Sequence, residues 1–325
     1  MTAPSVARRQ KYLGEMGLIA LITFLSAFVP LSTDLYLPAL PGIADYFGVS
    51  ADLSNLTLIL FFVFFSVGTL FWGPLSDKHG RRPILLIGLS IYSAASLGCA
   101  GSWDIHHLIA FRILQAIGGG GAVAVATAMI RDVYDSKSRE PILAMVQSMV
   151  LISPAAAPVL GALLLKFMSW RELFLVLACI GLLALAGSIA LQETITKCNT
   201  SSMLQALCRL CRVAGNPGFS SLLILFSLPS MSALAFIASS SYIYINGFGL
   251  SAQVYSYYYA INAIAMTFGP MLYMRVSRKC HRRSIIIVCF AAISASGLLI
   301  SFVGGFQPWI LTIVLLPATI CGNCV

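Results

Sequence analysis

Apolar residues run along this chain in blocks of about 20, separated by short turns rich in Lys and Arg, with neither the alternation of half-buried strands nor the one-sided pattern of surface helices. The blocks fall at 17–40, 54–75, 83–101, 107–130, 141–165, 172–191, 219–245, 252–274, 284–304 and 309 to the end. Blocks of this length cross roughly 30 Å of hydrocarbon as helices. Lipid offers backbone groups no partners, so each segment must pair its own, and runs this continuous are helices rather than barrel strands. The pattern predicts an all-α integral membrane protein with about ten transmembrane helices.

Composition agrees: with 59% hydrophobic and 10% charged residues, 325 residues carry too little polar surface for a water-soluble globule of this size. The charge adds orientation. With the N-terminus inside, the cytoplasmic segments hold Arg8, Arg9 and Lys11; Lys78, Arg81 and Arg82; Arg131, Lys137 and Arg139; Lys197, Arg209 and Arg212; and Arg275, Arg278, Lys279, Arg282 and Arg283. The outside keeps only Lys166 and Arg171, and cytoplasmic loops retain cations, so a cytoplasmic N-terminus is expected. Cations spread beside membrane ends suit anionic lipid, not nucleic acid, despite a net charge of +9. The first block is too long for a signal peptide and no A-x-A site closes it.

The longest polar interval, 192–218, reads as a cytoplasmic linker between an N-terminal six-helix bundle, 1–191, and an incomplete C-terminal bundle of about four helices, 219–325. Laying Ser277–Arg283 on Ser76–Arg82 matches Ser, Lys and the Arg pair, and the same shift sets Phe219 near the start of span one. Repeated halves of this kind are common in membrane transporters, with substrate held where the halves meet. Under this repeat, Val325 falls on Ala124 inside span four, so counterparts of spans five and six are missing and a C-terminally truncated twelve-span plan is expected.

Charges within spans are costly, so each is a candidate for function. Asp34 and Arg112 lie inside spans one and four, both roughly 9 Å below the outer boundary at 1.5 Å per residue, close enough in depth for a direct or water-bridged pair. Loss of water and a nearby guanidinium act in opposite senses on a carboxyl, which suits a proton switch at Asp34; the alternative is an ion pair that only fixes two helices. Gln115, nearly a turn below Arg112, is a candidate contact for substrate or for Arg112, and Gly118–Gly121 is read as packing. In span five Pro154 and Pro158, with Ala157 and Gly161, are expected to form a kinked hinge and packing seam. The turn G-P-L-S-D-K-H-G-R-R supplies Gly73 for close helix contact, Asp77 to face the positive end of another helix or a cation such as Arg131, Gly80, and Arg81 and Arg82 as lipid-surface anchors.

Other features are assigned no chemistry. Tyr242, Tyr244, Tyr255, Tyr257, Tyr258, Tyr259 and Trp103 are read as interfacial anchors in preference to a drug pocket, and His79, His106, His107 and His281 sit in loops. The pairs Cys208/Cys211 and Cys321/Cys324 are read as small apolar fillers, with no metal expected. No Gly-rich phosphate loop suggests ATP drive, and no nucleophile, carboxylate or metal constellation in the spans suggests an enzyme.

The charged turn, together with R-I-L-Q-A-I-G in span four, A-P-V-L-G-A in span five and T-D-L-Y-L-P in span one, resembles the Bcr/CflA group of drug and proton antiporters in the major facilitator superfamily. Ala116 stands where the span-four motif often has Gly. The resemblance implies proton coupling by Asp34 and Arg112, substrate contact by Asp34 and Gln115, gating by Gly73, Asp77, Gly80, Arg81 and Arg82, and the antiporter kink at Pro154, Ala157, Pro158 and Gly161. It implies a monomeric exporter in the bacterial inner membrane that exchanges small amphipathic compounds for protons without a cofactor. The alternatives are a proton-coupled nutrient importer and an inactive remnant that only associates with partners.

Overall fold

A computed structural model describes residues 10, 12–195, 203–303, 305 and 307–322; Arg8, Arg9, Lys11, Lys197, Cys324 and Val325 lie outside the described residues. It contains helices and no strand among the described residues. Span one is built from α1 (Gly14–Ser26), α2 (Phe28–Asp34), a 3₁₀ turn at Leu37–Ala39 and α3 (Leu40–Phe47). Then follow α4 (Ala51–His79), α5 (Arg81–Ala100), α6 (Ile105–Val133), α7 (Ser136–Leu164) and α8 (Trp170–Ile189). After a short α9 (Met203–Ala214) come α10 (Pro217–Ser241), which widens into a π-turn at Tyr242–Gly247, α11 (Ala252–Val276), α12 (Arg282–Val303) and α13 (Pro308–Gly322). Each predicted span therefore has a helical counterpart.

Seven of these helices are by themselves long and apolar enough to cross a membrane. Two of the others owe their weaker signal to tyrosines in α11 and to the 15-residue length of α13. Span one is interrupted by its prolines, its parts Gly14–Ser26 and Pro30–Phe47 meeting at 44°. Pro30 has no N–H to offer Ser26, and Pro38 none to offer Asp34, so the ladder fails where α1 and α2 end.

Among the first eight helices α6 is the central rod, wedged between α4 and α5. Its glycine run makes this possible: a Cβ on Gly118 would come within 2.6 Å of the Gly88 carbonyl, and one on Gly120 within 3.0 Å of that of Phe65. Trp72 on α4 adds a hydrogen bond of 2.8 Å to the carbonyl of Ile117 on α6. One apolar core fills the end near the 73–82 turn, around Leu18, Ile22, Leu89, Val125 and Met129. A second fills the distal end and crosses to the last helices, joining Leu37, Leu108 and Phe174 to Tyr244, Tyr255 and Leu311.

α7 and α11 form the main seam between the two groups of helices. Hydrogen bonds across it run from Gln253 Nε2 to the Ala162 carbonyl at 3.1 Å and from Tyr242 OH to the Leu40 carbonyl at 3.4 Å, both at the distal end. The tyrosines correct a sequence expectation. Tyr244, Tyr255 and Tyr259 are buried and pack on one another, whereas Tyr257 and Trp103 are the exposed rings. Helical period separates them, since 255, 259 and 262 share the inward face of α11 and 257 lies opposite.

Candidate functional site

Asp34, the last residue of α2, is 4% exposed and accepts hydrogen bonds from Thr33 Oγ1 at 3.2 Å and from Tyr259 OH on α11 at 3.5 Å. It lies on the wall of a cavity of about 720 Å³ bounded chiefly by α10, α11, α12 and α13, with Pro154 contributed by α7. The lining is mainly apolar, with Phe236, Ile293 and Leu315 among its walls. A carboxyl set in such a wall has little competing water, so its charge state dominates the local field.

Arg112 does not meet Asp34. The described residues form no ion pair between them, so the expected direct contact is absent from this conformation. Arg112 is instead fully buried among the first eight helices, its Nη1 donating to the Ser32 carbonyl at 3.2 Å and to Gln115 Oε1 at 2.7 Å. Its guanidinium carbon stands 4.7 Å from the Tyr36 ring centre and 4.3 Å from that of Phe61, so aromatic faces are its counter-charge. Nε and Nη2 have no hydrogen-bond partner. The break near Pro38 explains the approach, because an interrupted helix end leaves backbone carbonyls of α2 for an outside donor.

Gln115 serves Arg112 rather than the cavity, whose lining it does not join. Its Nε2 donates to Ser96 Oγ at 2.7 Å, and Ser96 donates in turn to the Tyr92 carbonyl. Ser32 spends its hydroxyl hydrogen on the Phe28 carbonyl, so the 2.6 Å contact with Tyr92 is donated by the tyrosine. α2, α5 and α6 are thus joined through a buried polar web one residue from Thr33 and two from Asp34. Sequence reasoning missed Ser32, Tyr92 and Ser96, since a serine within an apolar block more often bonds only its own helix.

The kink residues of α7 divide by role. Pro154 lines the cavity, Ala157 is fully buried, and α7 continues as one helix through Pro154 and Pro158. Gly161 lies against the span-one break: a Cβ there would stand within 2.1 Å of the Leu35 carbonyl.

At the opposite end, the charged turn is drawn together differently from expectation. Arg81 is 3% exposed, bridging Asp77 at 2.6 Å and Asp132 at 2.7 Å and donating to Ser76 Oγ, so it is the centre of an ion cluster and not a lipid anchor. Asp77 therefore pairs with Arg81 rather than Arg131. Arg82 donates to the Ile189 carbonyl at the end of α8. Glu193 accepts from the backbone N–H of Arg81 at 2.8 Å and of Arg82 at 3.2 Å, capping α5 from outside its own chain neighbourhood. Gly80 holds φ at +96°, and a Cβ there would lie 2.5 Å from the Glu193 carboxylate, so two constraints favour glycine. A Cβ at Gly73 would meet nothing within 4 Å, so the close contact expected there is not made. Asp132 and Glu193 were not singled out from sequence, where each reads as an ordinary solvated charge near a span end.

Cys208 and Cys211 are exposed free thiols, and no group of three or more His, Cys, Asp or Glu that could hold a metal occurs among the described residues. A broken first span, a glycine-lined central helix and a cavity flanked by two helix groups define a multi-pass membrane transporter. The Major Facilitator Superfamily profile matches residues 21–325, and the chain belongs to that family. It is 30% identical over 293 residues to an uncharacterised transporter of that type from Bacillus subtilis, covering 88% of this chain and 73% of the relative. It is 26% identical to a bicyclomycin resistance protein homologue of Haemophilus influenzae (86% and 71% covered) and 33% identical over 237 residues to the multidrug resistance protein MdtL of Shewanella oneidensis (72% and 59%). The fold resembles a bacterial homologue of the lysosomal transporter Spinster in an inward-facing, unoccupied conformation, with TM-score 0.71 and 18% identity over 94% of this chain and 72% of that one. It likewise resembles the xylose transporter of E. coli in a partially occluded inward-open conformation, with TM-score 0.72 and 13% identity over 96% and 82%. The chain is a transporter, not an enzyme.

Proposed function

We propose that this chain exports small amphipathic compounds across the bacterial inner membrane in exchange for protons, by alternating access between bundles 1–191 and 219–325 joined by the cytoplasmic linker 192–218. One observation carries the reading: Asp34 is a buried carboxyl on a mainly apolar cavity wall, held from α11 by Tyr259. A proton arriving from outside neutralises Asp34; entry of the compound from the cytoplasmic side and release of that proton inward would be coupled through this one acceptor. The cross-seam bonds at Gln253 and Tyr242 hold the distal end together, which suits a cavity addressed from the linker side. Arg112, with two unpaired donors two residues' reach from Asp34 through Ser32, is suited to receive the carboxylate when the span-one break rearranges. Relatives named for bicyclomycin and multidrug resistance support export. Energy would come from the proton gradient, with no bound cofactor, and a cytoplasmic N-terminus follows from the cation distribution.

The test is drug uptake into inside-out vesicles carrying the full chain, with an imposed pH gradient. Asp34→Asn should remove the dependence on the gradient, and unchanged gradient-driven transport in that variant would refute the assignment. A protonophore should raise cellular accumulation of the compound; lowered accumulation would instead mark a proton-coupled importer.

A further inference from the structure

The polar groups around the cavity have largely spent their hydrogens. Ser230, Ser232 and Ser239 each donate to the carbonyl four residues back, at Phe226, Leu228 and Ala235. Thr312 donates to the Pro308 carbonyl, so Tyr244 must be the donor in their 2.7 Å contact. Tyr259 donates to Asp34. With those hydrogens spent within the wall, these groups keep only acceptor capacity. Among the described lining residues, Ser296 and the second amide hydrogen of Asn262 are what remains on the donor side.

Asn262 stands out on this wall. It is 1% exposed and sits three residues after Tyr259, on the same face of α11. Its Nδ2 donates to the Tyr258 carbonyl at 3.1 Å. A carbonyl can only accept, so the amide orientation is fixed and the other atom is oxygen. That Oδ1 has no hydrogen-bond partner. A buried acceptor left unmatched is costly, and the cost is recovered when a donor reaches it. Asp34 and Asn262 both belong to this wall, which thus holds two acceptors of different charge, the amide oxygen enclosed until a donor reaches it, and few donors.

We propose that the cavity selects compounds by their own N–H or O–H donors, and that Asn262 is the specificity-determining acceptor, separate from the proton-carrying group. The proposal rests on the transport reading for its biological use but not for its binding claim. It takes the substrate class to be lipophilic molecules with amine, amide or hydroxyl hydrogens at one end, the apolar body lying against Phe236, Ile293 and Leu315. A site that is built to meet hydrogen-bonding groups discriminates sharply against analogues lacking them, whereas an apolar wall does not.

Two cationic dyes isolate the effect: ethidium carries aromatic amine N–H groups, and tetraphenylphosphonium carries no N–H or O–H, so the attraction of Asp34 for positive charge is common to both. Binding of each to the purified full chain in detergent is measured for wild type and for Asn262→Leu, which keeps the bulk and removes the oxygen. Ethidium affinity should fall at least fivefold while tetraphenylphosphonium stays within twofold. Equal losses for the two dyes, no loss for either, or no binding of either by wild type overturns the proposal. Should Asn262→Leu fail to fold, Asn262→Ser, which shortens the acceptor, should shift ethidium alone, and an equal shift of both dyes counts against it. Binding that follows this pattern without gradient-driven pumping would leave the acceptor site standing and remove the export reading.

Discussion

Tyr259 of α11 donates its hydroxyl to Oδ1 of Asp34 at the end of α2, so the carboxyl proposed to carry the proton is held from the other side of the seam between the helix groups. The 3.5 Å separation makes this a weak bond, and one easily exchanged. Its position is what matters: a change in the charge on Asp34 alters a contact between the two helix groups proposed to move. Tyr259→Phe retains the ring packing on Phe236 and Tyr255 and removes only the donor. A net hydrogen bond of about 1 kcal/mol predicts a roughly fivefold change in apparent affinity or rate for gradient-driven transport, with coupling retained. Initial rates in proteoliposomes across a range of substrate concentrations check this; complete loss of coupling would show that Tyr259 itself handles the proton.

Arg112 presents a trade between stability and function. It is fully buried, without a carboxylate within 4 Å among the described residues, and two of its nitrogens are unpaired. Burying a cation under these terms costs more than packing an apolar side chain of similar length, even with aromatic faces beside it. Arg112→Met should therefore leave thermal stability unchanged or raised, while transport falls by at least tenfold. Melting in detergent alongside vesicle uptake separates the two. A large drop in melting temperature would mean that the bonds to Ser32 and Gln115 hold the bundle together and that the arginine is structural. Arg112→Lys should not rescue transport, because an ammonium can replace Nη1 at its two acceptors but lacks the planar Nε and Nη2 donors left to receive a carboxylate.

The helices were legible because lipid imposes a length and an apolarity that few sequences meet by accident. Asp34 and Arg112 stood out for the same reason, as charges in blocks that exclude charge. What could not be read was direction. Depth along a span is set by residue number, but rotation is set by neighbours, so equal heights for Asp34 and Arg112 did not make them partners. One turns to the cavity and the other to the web of Gln115, Ser96 and Ser32. Asp132 and Glu193 escaped notice because a charge near a span end has a solvated reading; only the fold brings Arg81 to both. Asn262 is the instructive middle case. An amide inside an apolar block is a weaker anomaly than a charge, and its unpaired oxygen exists only in three dimensions.

The cap on α5 can be tested as a coupled pair. Glu193 receives the N–H groups of Arg81 and Arg82, and losing a cap of this type costs about 1 kcal/mol, so Glu193→Ala should lower the melting temperature modestly. Gly80→Ala should cost more, because it combines a positive φ of +96° with a Cβ driven against the Glu193 carboxylate. In the Glu193→Ala background the steric part vanishes and the backbone part stays. The double variant should thus be more stable than the sum of the single losses implies, by roughly 0.5 kcal/mol or more. Strict additivity in thermal or denaturant unfolding would place Glu193 elsewhere than against Gly80.

Gly161 gives the most exposed test of how α7 serves the site. The A-P-V-L-G-A segment is read from sequence as a hinge, yet the structure gives its glycine a specific neighbour: the carbonyl of Leu35, one residue beyond Asp34. A methyl group at 2.1 Å from a backbone oxygen cannot be relieved by turning a side chain, so either α7 or the broken part of span one must retreat. Gly161→Ala should cost about 1–3 kcal/mol as an overpacked core position does, and should displace Asp34 along with Leu35. Gly73 is the matching control, because a methyl there meets nothing within 4 Å. Gly73→Ala should leave both melting temperature and transport near wild type. If the two variants behave alike, close packing against Leu35 is not what Gly161 provides, and its contribution would have to lie in the flexibility of α7 alone.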